Sequence, residues 1–380
     1  MHVCLVYDCL YPYTVGGAER WYRNLGERLA SAGHDVTYLT RRQWGRDEEP
    51  VVPGVRVIAV SPRSELYAGG RRRILPPLRF GVGVLVHLAR HGSRYDVVHT
   101  ASFPYFSLLA AGAVQRRRGF RLFVDWHEVW TREYWREYLG RVGGAVGWRV
   151  QRTCLRLPQR AFCFSKLHER RLRELGLTGA LTRLEGQYTG PPAPAEPKPA
   201  RPVVVFAGRH IPEKRVPAVV AAVAAARTEV PGLGAEIYGD GPERPRVLQA
   251  SAELGVDGAV TAPGFVDGAV LEAALATALC LLLPSRREGY GLVVIEAAAQ
   301  GVPVVVAAGP DNAATELVDE GVNGMIASGA STQELAAAIV RVHERGPALR
   351  ASAAEWFRRN ADRLSLEGSL ERVLEAYAGR

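Results

Sequence analysis

The segment Gly190–Pro202, GPPAPAEPKPARP, places six prolines in thirteen residues. Proline lacks the amide donor that a helix or a sheet ladder consumes, so neither can run through this stretch. It reads as a linker, and a chain of 380 residues divided there has to build two cores rather than one. The same local pattern repeats on each side. Before the linker, apolar runs at Val3–Tyr7, His34–Thr40, Val55–Val60, Asp96–Thr100, Arg121–Asp125 and Ala161–Ser165 read as strands. A helix from Ala18 to Ala32 lines up Trp21, Leu25 and Leu29 on one stripe and stops at Gly33. After the linker, strands at Val203–Ala207, Ala235–Gly239, Leu279–Leu283 and Val302–Ala307, with another near Val260, alternate with helices at Val216–Arg227 and Arg244–Leu254. Strands separated by helices are joined by right-handed crossovers into parallel sheets. The expected fold is α/β, with two doubly wound Rossmann-like domains over 1–189 and 203–353. The last segment, 354–380, is expected to hold a C-terminal helix over Ala354–Tyr377.

Several classes drop out. Apolar residues make up 47% and charged residues 23% of the chain, a globular balance rather than a disordered one. No run reaches the ~20 uncharged apolar residues of a membrane span. The opening Met1–Asp8 lacks the basic start of a signal peptide. Five cysteines, at 4, 9, 154, 163 and 280, form no C-x-x-C pair, which suits reduced thiols in a cytoplasmic chain. The nine histidines show no H-E-x-x-H and the carboxylates no D-x-D, so no metal is expected. Charge is split unevenly. Residues 1–200 carry 31 Lys and Arg against 17 Asp and Glu, whereas residues 201–380 carry 17 against 22. A basic half suggests an anionic partner on that side.

Open α/β sheets bind ligands beyond the carboxyl ends of their strands, and three loops there carry the informative residues. Gly16-Gly17-Ala18-Glu19 lets backbone amides approach an anion at a helix start; it is neither G-x-G-x-x-G nor a P-loop. Ala207-Gly208-Arg209-His210-Ile211-Pro212-Glu213-Lys214 puts two cations on one loop, spaced either to grip a diphosphate or to lie solvated on the surface. Lys214 stands out because only three of the 48 basic residues are lysine. The third block, Pro284-Ser285-Arg286-Arg287-Glu288-Gly289-Tyr290-Gly291-Leu292-Val293-Val294-Ile295-Glu296, is the most specific. Glu288 can accept hydrogen bonds from sugar hydroxyls, and Glu296, one turn into the helix, can hold a ribose diol. Gly289, Tyr290, Gly291 and Leu292, with Val293 just inside the helix, offer free amides to phosphate or sugar.

These blocks occur in order with Gly239-Asp240-Gly241-Pro242-Glu243, Pro263-Gly264-Phe265-Val266 and Glu316-Leu317-Val318…Gly321…Asn323-Gly324. The set resembles the retaining, nucleotide-sugar-dependent glycosyltransferases of family 4, which have the GT-B fold of two domains facing each other across a cleft. The resemblance spans nearly the whole chain and is most specific from Val203 to Gly324. It implies that Arg209 and Lys214 bind the donor diphosphate, that Glu288 holds the donor sugar and Glu296 the ribose, and that Phe265 and Val266 take the base through their backbone. Gly16 and Gly17 would approach the phosphate, and the C-terminal helix would return to the first domain. A nucleoside diphosphate sugar is then the co-substrate, with no cofactor. The chain departs from the family pattern at Leu184-Glu185-Gly186-Gln187 and at Gly309-Pro310-Asp311-Asn312.

His127, in Asp125-Trp126-His127-Glu128, matches a family histidine that contacts the donor sugar; its alternative is a structural role. Glu19, Trp126, Glu128 and Trp130 are the candidates for the acceptor. Trp130, Tyr134 and Tyr138 recur at helical spacing, which suits either an exposed stacking face or core packing. Arg71-Arg72-Arg73-Ile74-Leu75-Pro76-Pro77-Leu78-Arg79-Phe80 and Arg116-Arg117-Arg118 suggest a lipid-linked or otherwise anionic acceptor and peripheral contact with the inner membrane face. A nucleotide-sugar epimerase would share this architecture but needs an acid/base carboxylate pair that the sequence does not offer. A nucleic-acid-binding protein would suit the basic charge, but no reading helix or ribonucleoprotein motif is present, and no nucleic acid is expected.

Overall fold

A computed structural model of the chain describes residues 1–45, 47–68 and 71–379. It divides into two compact units, one of Met1–Leu184 with the segment from Ser369 on, the other Glu185–Gly368.

The first unit is built on strands β1 (His2–Val6), β2 (Asp35–Arg41), β3 (Val55–Ser61), β6 (Val97–Ala101), β7 (Arg121–Trp126), β8 (Arg160–Cys163) and β9 (Leu181–Arg183). They form one parallel sheet in the order β3-β2-β1-β6-β7-β8-β9, and β4 (Tyr67–Ala68) pairs antiparallel with β5 (Arg71–Arg72). Helices α1 (Gly17–Ser31), α2 (Leu75–His91), α3 (Phe106–Arg118), α4 (Arg132–Leu155) and α5 (Lys166–Glu174) are the crossovers. On α1 the stripe Trp21, Leu25 and Leu29 is buried, and the chain leaves it through Gly33 at φ 81°. Strand β8 stops at Cys163 rather than Ser165 because the Ser165 hydroxyl accepts from the His168 amide and starts α5.

The second unit carries β10 (Val203–Ala207), β11 (Gly234–Tyr238), β12 (Val260–Gly264), β13 (Cys280–Leu283), β15 (Val304–Ala307) and β17 (Gly324–Ala327), parallel in the order β12-β11-β10-β13-β15-β17. A second, minimal pair joins β14 (Arg287–Glu288) to β16 (Asp311–Asn312). Helices α6 (Pro217–Ala226), α7 (Arg244–Glu253), α8 (Gly268–Ala276), α9 (Leu292–Ala299) and α10 (Thr332–Leu364) cover this sheet.

Two expectations need correcting. The proline segment is not a free linker. It lies within the second unit, where the Ala195 amide donates to Ala299 O at 2.8 Å and the Arg201 amide to Thr277 O at 2.8 Å. Proline forbids regular structure but not docking of the amides between prolines. Nor is Ala354–Tyr377 one helix. α10 ends at Leu364, and α11 (Leu366–Ala378) starts after Ser365, whose neighbours Leu364 and Leu366 pair with the backbone of Tyr188. From Ser369 the chain belongs to the first unit. Tyr377, fully buried, is hydrogen-bonded through its hydroxyl to His99 Nδ1 at 2.6 Å, and Arg160 donates to Ala376 O at 2.9 Å. His99 Nε2 faces Asp125 Oδ1 at 2.9 Å, while Asp125 Oδ2 accepts from the Trp21 indole at 2.7 Å. Burial alone would push the Asp125 carboxyl up, but His99, His127 and Trp21 together hold it below its ordinary range. No helix among the described residues is long and apolar enough to cross a membrane.

The backbone at Gly239, φ 114°, passes so close to the previous loop that a Cβ there would lie 2.0 Å from Gly208 O. Gly239→Ala is therefore expected to lower the melting temperature of the second unit by about 4–8 °C, from roughly 2 kcal/mol of strain and clash. An unchanged melt would contradict that close approach. A pH effect follows from α2. Burial first, then His91, Arg56 and Arg94, take the His87 ring down to about 4. An unfolded imidazole titrates near ~6.5, so the unfolded chain binds more protons in between and stability falls as the pH drops through that window. Melting curves at pH 7.5 and 5 should show a smaller acid loss in His87→Phe than in the native chain; equal losses would remove His87 as the cause.

Candidate active site

In the second sheet the strand order reverses between β10 and β13, which lie side by side. The loops leaving their carboxyl ends travel in opposite directions, and the crevice between such loops is where open α/β sheets take ligands. These are the loops of Gly208–Lys214 and Pro284–Gly291. The Arg286 amide donates to Glu213 O at 2.8 Å and fastens one to the other. At that junction Lys214 Nζ meets Glu288 Oε1 at 2.5 Å. The two side chains are only 19% and 10% exposed, so the solvated surface pair does not describe Lys214. With little water between them, the attraction is far less screened than in a surface ion pair.

Neighbouring groups hold this pair in place. Ser285, buried, donates from Oγ to the same Glu288 Oε1 at 2.8 Å. The pairing of β14 with β16 sets Glu288 beside Asn312. Asn312 Nδ2 donates to Ser285 O at 3.1 Å and to Ala307 O at 2.8 Å, and its Oδ1 accepts from the Ala314 amide at 3.1 Å. Ser285 and Asn312 were not expected site residues. Ser285 stood inside the most specific motif, and Asn312 lay in the Gly309–Asn312 stretch that departs from the family pattern. No local signal showed that its amide reaches three backbone segments.

The other expected residues of this unit are placed as follows. Arg209 is exposed at the start of the same loop as Lys214. Gly291, at φ 100°, starts α9, and a Cβ on it would lie 2.7 Å from Ala314 Cβ. The amides of Leu292 and Val293 stand in the first turn of α9, with no side chain capping them. Tyr290 is buried and its hydroxyl donates to Glu185 O, which leaves its backbone, with that of Gly289, as the part able to meet a ligand. Glu296 is half-buried on α9 near Tyr188. Burial chiefly, then Glu272 and Glu296, push that tyrosine up to about 12. Phe265, 63% exposed, and Val266 follow β12, where the Gly239 amide donates to Gly264 O at 2.8 Å.

In the first unit, Gly16 is the extended residue before α1, and a Cβ on it would meet Glu19 Oε2 at 2.4 Å. The Glu19 carboxylate thus folds over the glycine turn at the positive end of its own helix. His127 stacks on Phe164 with ring centroids 4.8 Å apart. Burial holds its ring below the ordinary imidazole range against the pull of Asp125 and Glu128, and Nε2 is buried with no hydrogen-bond partner among the described residues.

Two acceptor candidates are corrected. Trp126 is fully buried and its indole donates to Gln159 Oε1 at 3.0 Å, so it presents nothing to an acceptor. Trp130 is buried too. Its ring packs on Phe103, Tyr134, Trp135 and Tyr138, and its indole N–H occupies Glu128 Oε2 at 2.9 Å. The helical recurrence of aromatics is core packing here, because a 3.6-residue period points those rings inward. Of the basic clusters, the side chains of Arg71 and Arg72 lie outside the described ones. Arg118 donates to Ala89 O, while Arg116 and Arg117 are exposed.

Comparison with known proteins agrees with this architecture. Residues 15–184 match the model of "Glycosyltransferase Family 4", and residues 201–345 match "Glycosyl transferases group 1". A glycogen synthase of Mycobacterium tuberculosis is 28% identical over 318 residues, covering 77% of this chain and 75% of that protein. A GDP-mannose-dependent alpha-(1-6)-phosphatidylinositol monomannoside mannosyltransferase of the same species is 32% identical over 166 residues, 41% of this chain and 43% of its own length. Among solved structures, a sucrose-phosphate synthase from Thermosynechococcus elongatus superposes with a TM-score of 0.81 at 21% identity, over 100% of this chain and 98% of that one. The two family models together span most of the chain and meet near its division into two units, and the fold is that of GT-B enzymes: the chain is a glycosyltransferase with a family 4 domain followed by a group 1 domain.

Proposed function

We propose that this protein is a retaining, metal-independent hexosyltransferase that moves a sugar from a nucleoside diphosphate sugar to an acceptor hydroxyl. The observation that carries the reading is the Lys214–Glu288 contact at the β10/β13 switch point, where a cation and a sugar-binding carboxylate come from two separate loops. Breaking the anomeric C–O bond leaves new negative charge on the diphosphate. Lys214, Arg209 and the amides at the start of α9 are fixed positive groups that stabilise this charge as it develops. Lys214 and Arg209 do so as side-chain cations, so the reaction needs no further cation. In the absence of donor, Lys214 is neutralised by Glu288. An arriving phosphate takes over the lysine and frees Glu288 Oε1 to accept from sugar hydroxyls, with Ser285 keeping the carboxylate in position. Glu296 holds the ribose diol, and the backbone at Phe265 and Val266 meets the base. In the first unit, His127 Nε2, with no hydrogen-bond partner among the described residues, is a group suited to bind a hydroxyl. Same-face attack, with the departing phosphate taking the acceptor proton, balances the charge without a carboxylate nucleophile.

The mannosyltransferase relative is named for a GDP-linked sugar and an inositol lipid. By extension the donor here is a nucleoside diphosphate sugar, and the acceptor is lipid-linked or anionic, matching the basic first half. The product is a cell-envelope polysaccharide, a glycolipid or a glycoside.

Calorimetry against UDP-, GDP- and ADP-sugars should yield heat with one donor class. Lys214→Met and Glu288→Gln should each lower kcat by about 10²–10³-fold, the range found when one transition-state-stabilising group is removed. Ser285→Ala should cost less, about tenfold, by loosening Glu288 alone. Transfer should survive chelation by EDTA, and NMR of the first-formed product should show the donor's anomeric configuration. Native turnover in both Lys214→Met and Glu288→Gln would sink the assignment; inversion or loss of activity with EDTA would sink its stereochemical or metal-free part.

A further inference from the structure

Helix α2 is apolar on two opposite sides. Inward, Phe80, Val84 and Leu88 are fully buried in the first unit's core. Two glycines bring the helix close to its neighbours. A Cβ at Gly81 would lie 2.5 Å from Phe106 Cβ of α3, and one at Gly83 would lie 2.0 Å from Val60 O of β3. The helix is therefore pinned flat against α3 and the sheet edge. Outward, Ile74, Leu75, Leu78, Val82, Leu85 and Val86 are all exposed, at spacings that put them on one long stripe. A helix apolar all round is ordinarily covered on every side, and this one leaves half of its apolar surface in water, well beyond the scattered single residues of an ordinary surface.

The charges beside that stripe decide what covers it. Arg73, Arg79 and Arg90 are exposed along it, Arg116 and Arg117 are exposed at the end of the neighbouring α3, and α2 contains no acidic residue. A second copy of the same face would bring these arginines against each other. A nucleic acid would answer the arginines and leave six aliphatic side chains against phosphate. An anionic lipid surface satisfies both, since aliphatic side chains enter the acyl boundary while guanidinium groups stay among the phosphates.

We propose that α2 is a membrane-docking helix, and that its outward stripe rests in the interface of an anionic bilayer with Arg73, Arg79 and Arg90 on the headgroups. The proposal concerns a face of the first unit and stands independently of the donor chemistry of the second. The sequence expectation joined the mixed segment Arg71–Phe80 to Arg116–Arg118; the contact proposed here extends the apolar part of that segment along α2 to Val86.

The test uses the full chain and vesicles of phosphatidylcholine with or without 30% phosphatidylglycerol as probe (about one anionic lipid in three, enough to set a surface potential). The native chain should float with the anionic vesicles and not with the neutral ones, and should detach as salt rises. Leu78 and Val82 are 42% and 54% exposed, so Leu78→Asp with Val82→Asp should leave the melting curve unchanged while reducing partitioning at least tenfold. Arg79→Gln with Arg90→Gln should reduce it by about fivefold per arginine and flatten the salt dependence. All five native cysteines are buried. Val82→Cys can therefore be labelled selectively with an environment-sensitive dye, whose emission should shift to the blue on anionic vesicles. No flotation at low salt, or equal flotation of the native and Asp-substituted chains, would overturn the proposal. So would a self-associated native chain that becomes monomeric in the Asp variant without ever binding vesicles.

Discussion

The parallel pairing of β10 with β13 is the contact on which the second unit's candidate site depends. One is the first strand of its sheet and the other the fourth, and they become neighbours only because the strand order reverses between them. Each connection then turns away from the other, so both loops end over a common crevice. The Arg286 amide on Glu213 O closes the base of that crevice. Glycine allows a third loop to close in from β11, because Gly239 and Gly241 run within a Cβ's reach of Gly208 O and His210 O. Shift the order of these strands and Lys214 and Glu288 lose their meeting point, whatever their identities.

In the function proposed here, the Lys214–Glu288 pair is a poised site rather than a structural rivet. Taking two opposite charges out of water is costly, and their attraction returns that cost only when the geometry and the remaining hydrogen bonds are good. Here Ser285 supplies one of those bonds, and Asn312 holds Ser285's own carbonyl. Asn312 lies in the stretch where this chain departs from the family pattern, and there it pairs through β16 with β14 and so braces the segment that carries Glu288. A carboxylate braced by the short, buried Ser285 side chain would lose little entropy if its partner changed from lysine to a ligand.

The first unit is organised around a different buried network. His99, Asp125, Trp21 and Tyr377 come from β6, β7, α1 and α11, so one cluster of four side chains joins two strands, the first helix and the last. Asp125 and His99 of this cluster also act electrostatically on His127, which follows β7. On the outer layer, Arg73, Arg79, Arg90, Arg116 and Arg117 are exposed near an aliphatic stripe on α2, and two in-facing glycines bring that helix close against its neighbours. Charge counted along the sequence showed the imbalance; only the exposed pattern shows that cation and hydrocarbon occupy one face.

Much of this was legible in residue order. Alternating strands and helices, the ends of most elements, the parallel sheets and the glycine-to-helix turn at Gly291 all follow from chemistry that acts over a few residues: an absent amide at proline, positive φ at glycine, burial at a fixed period. The readings that failed were those needing a neighbour. Proline announced a break in regular structure, yet nothing local showed that Ala195 and Arg201 would dock on the second unit. Aromatic spacing at Trp130, Tyr134 and Tyr138 was equally consistent with an exposed face, and only packing against Phe103 and Trp135 turned it inward. Sequence by itself determined the architecture and pointed to the loops of the candidate site. Tertiary structure alone decided which of them meet, because Lys214 and Glu288 are 74 positions apart, and contact across that distance is set by strand pairing and loop direction, which no short window of residues encodes.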